Sequence, residues 1–144
     1  TPEATRALRG DYQVSEVLGL AARADIAVVG LGVPTPDSVL LKDGRILTED
    51  DLDALRAEGA VGDIALRYVD AEGRSLDLAL NRRIIGLTLE QIRGIPRVIG
   101  VGGGTVKHRI VRAALRGGFL DVLVTDRATA ESLLDDVHTG GNEG

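Results

Sequence analysis

The sequence predicts an α/β domain built on a mostly parallel sheet, and three observations carry that prediction. Continuous apolar runs alternate with segments of helical periodicity along the chain. The run Asp25-Ile26-Ala27-Val28-Val29-Gly30 ends in glycine, as a parallel strand covered on both faces does. The last third reads strand, glycine loop, helix, strand, which is a βαβ unit whose crossover is right-handed in nearly all folds.

Taken in order, the first element is a short helix from Pro2 to Leu8, with Thr1 as its cap and proline at the first helical position. A second helix runs from about Gln13 to Arg23, because Val14, Val17, Leu18 and Ala21 recur at i, i+3, i+4 and i+7. The strand 25–30 follows, then a loop through Gly30-Leu31-Gly32, Pro34 and Pro36, and a short helix from Pro36 to Leu41. Thr48 caps the next helix, with Asp51 in the capping-box position and Gly59 marking the end. Ile64 to Val69 reads as a strand, 70–73 as a tight turn, and Leu76 to Leu80 as a returning hairpin arm. Ile84 to Leu87 is a short strand, and Thr88 caps a helix through Arg93. Arg97 to Val101 is a strand, Gly102-Gly103-Gly104 a loop, and Thr105 to Leu115 a helix closed by Gly117-Gly118. Leu120 to Val124 is the last strand, and Asp126 caps a helix from Arg127 to Leu134. Residues 1–138 then form one domain, and the polar, glycine-rich 139–144 a flexible tail.

Composition narrows the chemistry. At 144 residues with 44% hydrophobic content the chain can bury a core, and with three aromatics (Tyr12, Tyr68, Phe119) that core is aliphatic. A net charge of −5, with arginines dispersed among carboxylates, argues against a nucleic-acid grip. Without cysteine there is neither a disulfide nor a thiolate site, which suits the cytoplasm. No apolar run approaches the roughly 20 residues of a membrane span.

Gly102-Gly103-Gly104-Thr105 lies where a strand gives way to a helix, the end of a parallel sheet at which ligands bind. Glycines there let backbone N–H groups face an anion. Lys107 sits in the first helical turn, the wrong end for a cation by about 0.3–1 kcal/mol. An anion at the loop would reverse that cost; a solvated lysine explains the position equally well. Asp63, at the start of a strand, could bridge sugar hydroxyls, although spacing alone favours a turn or cap aspartate. Gly30-Leu31-Gly32 reads either as another wall of the same cleft or as a tight strand-to-loop turn.

Other chemistries lack their residues. Neither Gly100-x-Gly102 nor Gly30-x-Gly32 is completed to a dinucleotide fingerprint, and Lys107 lies between Val106 and His108 rather than in Gly-Lys-Ser/Thr. His108 reads as exposed and His138 as part of the fraying end, with no spaced partner for a metal. Arg109, Arg112 and Arg116 form a solvated helix face or a subunit contact. Ser15, Ser38, Ser75 and Ser132 sit in no nucleophile elbow. No catalytic residue, metal or cofactor is assigned.

The stretch 62–73, Gly-Asp-Ile-Ala-Leu-Arg-Tyr-Val-Asp-Ala-Glu-Gly, resembles a segment of SorC-family transcriptional regulators. So do Ile84-Ile85-Gly86-Leu87 and the run from Ile95-Pro96 through Gly102-Gly103-Gly104 to Lys107, with Gly102 where that family usually has alanine. Ala24 to Gly32, Ala113 to Gly118 and Leu123-Val124-Thr125-Asp126 complete the likeness in the right order over residues 1–134. The resemblance implies a three-layer, Rossmann-like effector domain of the kind shared with pentose-phosphate isomerases and glucosamine-phosphate deaminases. It implies a phosphorylated sugar as effector, with Lys107 at the phosphate or a sugar oxygen, Gly102 and Gly103 lining the site, and Asp63 on the hydroxyls. Such regulators act as homodimers or homotetramers and hold DNA through a helix-turn-helix, which this chain lacks. The family's effector domain is longer, so the resemblance implies that its front portion, with a glycine- and threonine-rich loop, is missing before Thr1. Two rival readings are a sugar-phosphate isomerase or deaminase, for which Asp63 is the one candidate base, and an assembly module with a vestigial cleft.

Overall fold

The sheet grows outward from one central strand. In the computed structural model, which describes residues 1–35 and 47–139 with side chains through Asp135, that strand is β1 (Ile26–Gly32). Ahead of it lie α1 (Pro2–Gly10) and α2 (Tyr12–Ala22), and after it α3 (Glu49–Ala57), β2 (Gly62–Ile64) and β3 (Arg67–Val69). The chain continues through α4 (Leu89–Arg93), β4 (Arg97–Val101), α5 (His108–Arg116), β5 (Val122–Val124) and α6 (Arg127–Thr139). Single 3₁₀ turns occupy Ala79–Arg83 and Thr105–Lys107. The sheet order is β3-β2-β1-β4-β5. β1, β4 and β5 are parallel, with Val28 opposite Ile99 and Ile99 opposite Val122; β2 and β3 add an antiparallel hairpin to β1.

Local chemistry sets the helix ends. Thr1 accepts from the Ala4 N–H, and Asp11 from the N–H groups of Gln13 and Val14. Thr48 with Asp51, and Thr88 with Gln91, form reciprocal capping boxes, each satisfying two otherwise unpaired donors.

Two cores hold the layers. In the larger, Ile110, Val111, Ala113 and Ala114 of α5 press on Val29, Leu31, Ile64 and Val98. Gly62 permits this, because a Cβ there would strike Ile110 and the Gly32 carbonyl. The smaller core joins Leu52 and Leu55 of α3 to Tyr68, Leu78 and Leu80. Since Tyr68 is the cross-strand partner of Asp63 and alternates with buried Val69, this core covers the opposite face of the hairpin.

Several segments differ from their sequence expectation, each for a tertiary reason. β1 does not stop at Gly30: Leu31 and Gly32 pair with Ile64 and Asp63, so Gly30-Leu31-Gly32 is strand rather than loop. Nor is β1 covered on both faces, for Ile26 and Val28 are 56% and 69% exposed. The predicted strand 64–69 folds on itself, with Ala65 and Leu66 at φ 49° and 66° making a two-residue turn. Leu76 to Leu80 contributes no hairpin arm; the return is a single bridge from Ser75 to Val69, followed by the 3₁₀ turn. Ile84 to Leu87 is not a strand either, because its carbonyls are taken by Arg9 and Arg67 instead of a neighbouring strand. The helix expected from Thr105 opens as a 3₁₀ turn, and α6 extends to Thr139. The helix expected over 36–41 and the tail beyond Thr139 lie outside the described residues.

Candidate functional site

The carboxyl ends of β1 and β4 and the turn of the β2–β3 hairpin bring most of the predicted site residues together. Asp63 is only 6% exposed and lies across from Gly32, where any Cβ would meet its carboxylate. Its Oδ2 accepts from the Leu66 N–H at 2.8 Å, which braces the left-handed Ala65-Leu66 turn; Ala65 N–H reaches the Gly30 carbonyl at 3.2 Å. Burial raises the Asp63 pKa above the ordinary carboxylate value, while the Leu66 N–H and the positive charge of Lys107 pull the other way. Lys107, half-buried as a residue, ends the 3₁₀ turn and forms the N-cap of α5; its ammonium makes no hydrogen bond or ion pair to another described residue. A buried carboxylate and an uncommitted ammonium thus face one region of the sheet end.

The glycine loop is tighter than its sequence implies. Gly102 is buried against Leu31 and donates to the Val124 carbonyl at 3.1 Å, tying the ends of β4 and β5 together. Gly103 packs on Asp126, and Gly104 adopts φ 92°, open only to glycine at little cost. Asp126 is the residue that sequence reasoning undervalued. Besides capping α6 through the Thr129 N–H at 2.9 Å, its carboxylate accepts from the Thr129 hydroxyl at 2.7 Å and the Gly104 N–H at 2.6 Å. These hydrogen bonds, those from Thr129 foremost, hold its pKa far below the usual carboxylate range. One loop N–H expected to face an anion is therefore already occupied by the protein's own carboxylate. α5, by contrast, carries no side-chain cap, which leaves its opening turn to the loop and Lys107.

Gly32, Gly102 and Asp63 are brought into one neighbourhood with Lys107, and Gly103 is held beside them by Asp126. Gly30 is exposed opposite Val101 and meets this neighbourhood only through its carbonyl, which accepts from the Ala65 N–H. His108 is half-buried rather than exposed, with Nε2 buried and unpartnered; Arg112 turns toward α6 and reaches the Ser132 carbonyl at 3.4 Å. Arg67, quoted only as part of a motif, is 6% exposed and donates to the carbonyls of Leu87, Asn81 and Gly86 at 2.8–3.0 Å. Among the described residues no group of three His, Asp or Glu is placed to hold a metal, and no helix is long and apolar enough to cross a membrane.

The arrangement can bind a polar, anionic ligand: the Lys107 cation at the opening of α5 for the charge, and a buried carboxylate for hydroxyls. Comparison with known proteins gives the family. Residues 1–135 match the family model described as "Putative sugar-binding domain". Transcriptional regulator LsrR of Klebsiella pneumoniae is 36% identical over 135 residues, covering 92% of this chain and 42% of that protein. Among solved structures, a DeoR family transcriptional regulator from Listeria monocytogenes superposes with a TM-score of 0.85 at 33% identity, over 90% of this chain and 52% of that one. The sorbitol operon regulator SorC from Klebsiella pneumoniae gives 0.84 at 26% identity, over 93% and 43%. The chain thus spans about two-fifths of the length of the curated relatives it matches. Those relatives are regulators rather than enzymes, and the chain belongs to the sugar-binding domain family of SorC-type transcriptional regulators.

Proposed function

We propose that this chain is the effector-sensing part of a cytoplasmic DNA-binding regulator, and that it binds a phosphorylated sugar at the carboxyl ends of β1 and β4. The observation that carries this reading is the placement of Asp63 and Lys107 together at that end, one buried and one uncommitted. Lys107 and the loop Gly102-Gly103 meet the phosphate, Asp63 accepts from sugar hydroxyls, and Gly32 leaves the carboxylate its space. Residues 1–138 are then part of a larger effector domain whose homodimer or homotetramer passes the signal to a helix-turn-helix carried elsewhere. Calorimetric titration with pentose and hexose phosphates, beside their unphosphorylated sugars, tests it. One phosphate should saturate without turnover. Equal affinity for the unphosphorylated sugar would overturn the phosphate assignment, and turnover would overturn the sensor.

A further inference from the structure

A cleft lies between α1 and the 3₁₀ turn 79–83, away from the glycine loop. It is open to solvent and offers about 400 Å³, a size suited to a small ligand, and Arg6, Arg9, Arg67 and Arg82 line it together with Thr5 and Thr88. Helical spacing puts Thr5, Arg6 and Arg9 on one face of α1.

The charges there are poorly compensated. Arg9 donates to the carbonyls of Ile84 and Gly86 at 3.2 and 2.9 Å, and Arg67 shares the Gly86 carbonyl at 3.0 Å, so two guanidinium groups converge on one oxygen. Burial, and after it the charge of Arg9, lowers the proton affinity of Arg67. Carbonyl oxygens orient these cations but do not neutralise them. Arg6 has no hydrogen bond or ion pair to a described residue, and Arg82 reaches a carboxylate only at 3.9 Å, to a largely exposed Asp77. Asp77 and Glu90 border the adjoining groove, not this cleft. Four like charges around one small volume, in a chain of net charge −5, repel unless an anion lies among them. The planar fork of arginine fits phosphate and carboxylate oxygens, often in pairs.

We infer that the Arg6–Arg9–Arg67–Arg82 cleft is a binding site for a small di- or trianion bearing phosphate or carboxylate groups, separate from the sugar site at Lys107. It stands independently of the sugar-phosphate reading, because it shares no residue with that site.

Calorimetry with inorganic phosphate, pyrophosphate and citrate tests the inference, at one low ionic strength matched with chloride. The proteins are the unaltered chain, Arg6→Gln/Arg82→Gln, and Lys107→Ala. Arg6 and Arg82 are exposed and outside the carbonyl network, so the double variant should keep its circular dichroism and melting temperature. At least one anion should bind saturably, tenfold or more weakly to the double variant and within twofold to Lys107→Ala. Phosphates alone binding would name a phosphate ligand; citrate binding would name a carboxylate. In the unaltered chain, amide shifts induced by the tightest anion should fall on residues 2–10 and 79–88. No saturable binding of any of the three overturns the inference. So does unchanged affinity in the double variant, or amide shifts centred on residues 102–108.

Discussion

Replacing Arg67 with methionine should remove a large part of the stability of this domain. The guanidinium is almost wholly buried and spends three donors on the carbonyls of Leu87, Asn81 and Gly86. Gly86 would keep its bond from Arg9, so the substitution orphans two part-buried carbonyls, those of Leu87 and Asn81. Each unsatisfied acceptor costs about 1–3 kcal/mol, which puts the loss at about 2–6 kcal/mol. Part of this is offset, since methionine ends the cost of burying a charge beside Arg9. The net expectation is about 3–4 kcal/mol, a fifth or more of a stability on the order of 5–15 kcal/mol. Arg67→Lys should lose most of the same amount, because a point ammonium cannot bridge three diverging carbonyls. Urea unfolding followed by far-UV circular dichroism measures both. A loss below about 1 kcal/mol with an unchanged m-value would refute the claim that Arg67 organises the segment 81–87.

Three further substitutions probe the site. Asp63→Asn keeps an acceptor for the Leu66 N–H but removes a buried charge, so it should raise the melting temperature at pH 7 while weakening sugar binding tenfold or more. Because burial raises the folded pKa of Asp63 above its ordinary 3.8, the folded chain holds a proton there that the unfolded chain has released. Stability should therefore fall as pH rises from about 3.8 through the folded pKa, and this slope should be missing from Asp63→Asn in urea titrations across that window. Gly103→Ala drives a Cβ into the Asp126 carboxylate and should cost about 1–3 kcal/mol, read as a lower unfolding midpoint. Asp126→Ala frees the Gly104 and Thr129 N–H groups, and amide hydrogen exchange at both should quicken.

What was legible in the sequence was mostly local. Thr48 with Asp51, Thr88, Thr1-Pro2 and the glycines after α5 declare their helix ends because caps act within four residues. Apolar continuity found β1 and β4, and the strand–loop–helix order located the ligand end of the sheet. Partners distant in sequence decided the rest. Ala65 and Leu66 are not turn residues, and their left-handed turn is braced from Asp63 and the Gly30 carbonyl. Ile84 to Leu87 has a strand's composition, yet arginines from α1 and β3 hold it outside the sheet. In the site, Lys107, Asp63, Gly102 and Gly32 could be nominated singly; their convergence depends on the antiparallel hairpin joining β1, which periodicity missed. Asp126 was visible as a cap, but its bond to Gly104, across 22 residues, was not.

The central claim is that Lys107 answers the phosphate of a sugar phosphate, and a four-way affinity comparison tests it most directly. The responding sugar phosphate and its unphosphorylated sugar are each titrated into the unaltered chain and into Lys107→Ala. Deleting either the phosphate or the lysine should weaken binding by about 1.5–3 kcal/mol, or about 10- to 150-fold, and deleting both should cost little more than deleting one. If Lys107→Ala keeps the full preference for the phosphorylated sugar, the phosphate is held elsewhere and the assignment fails.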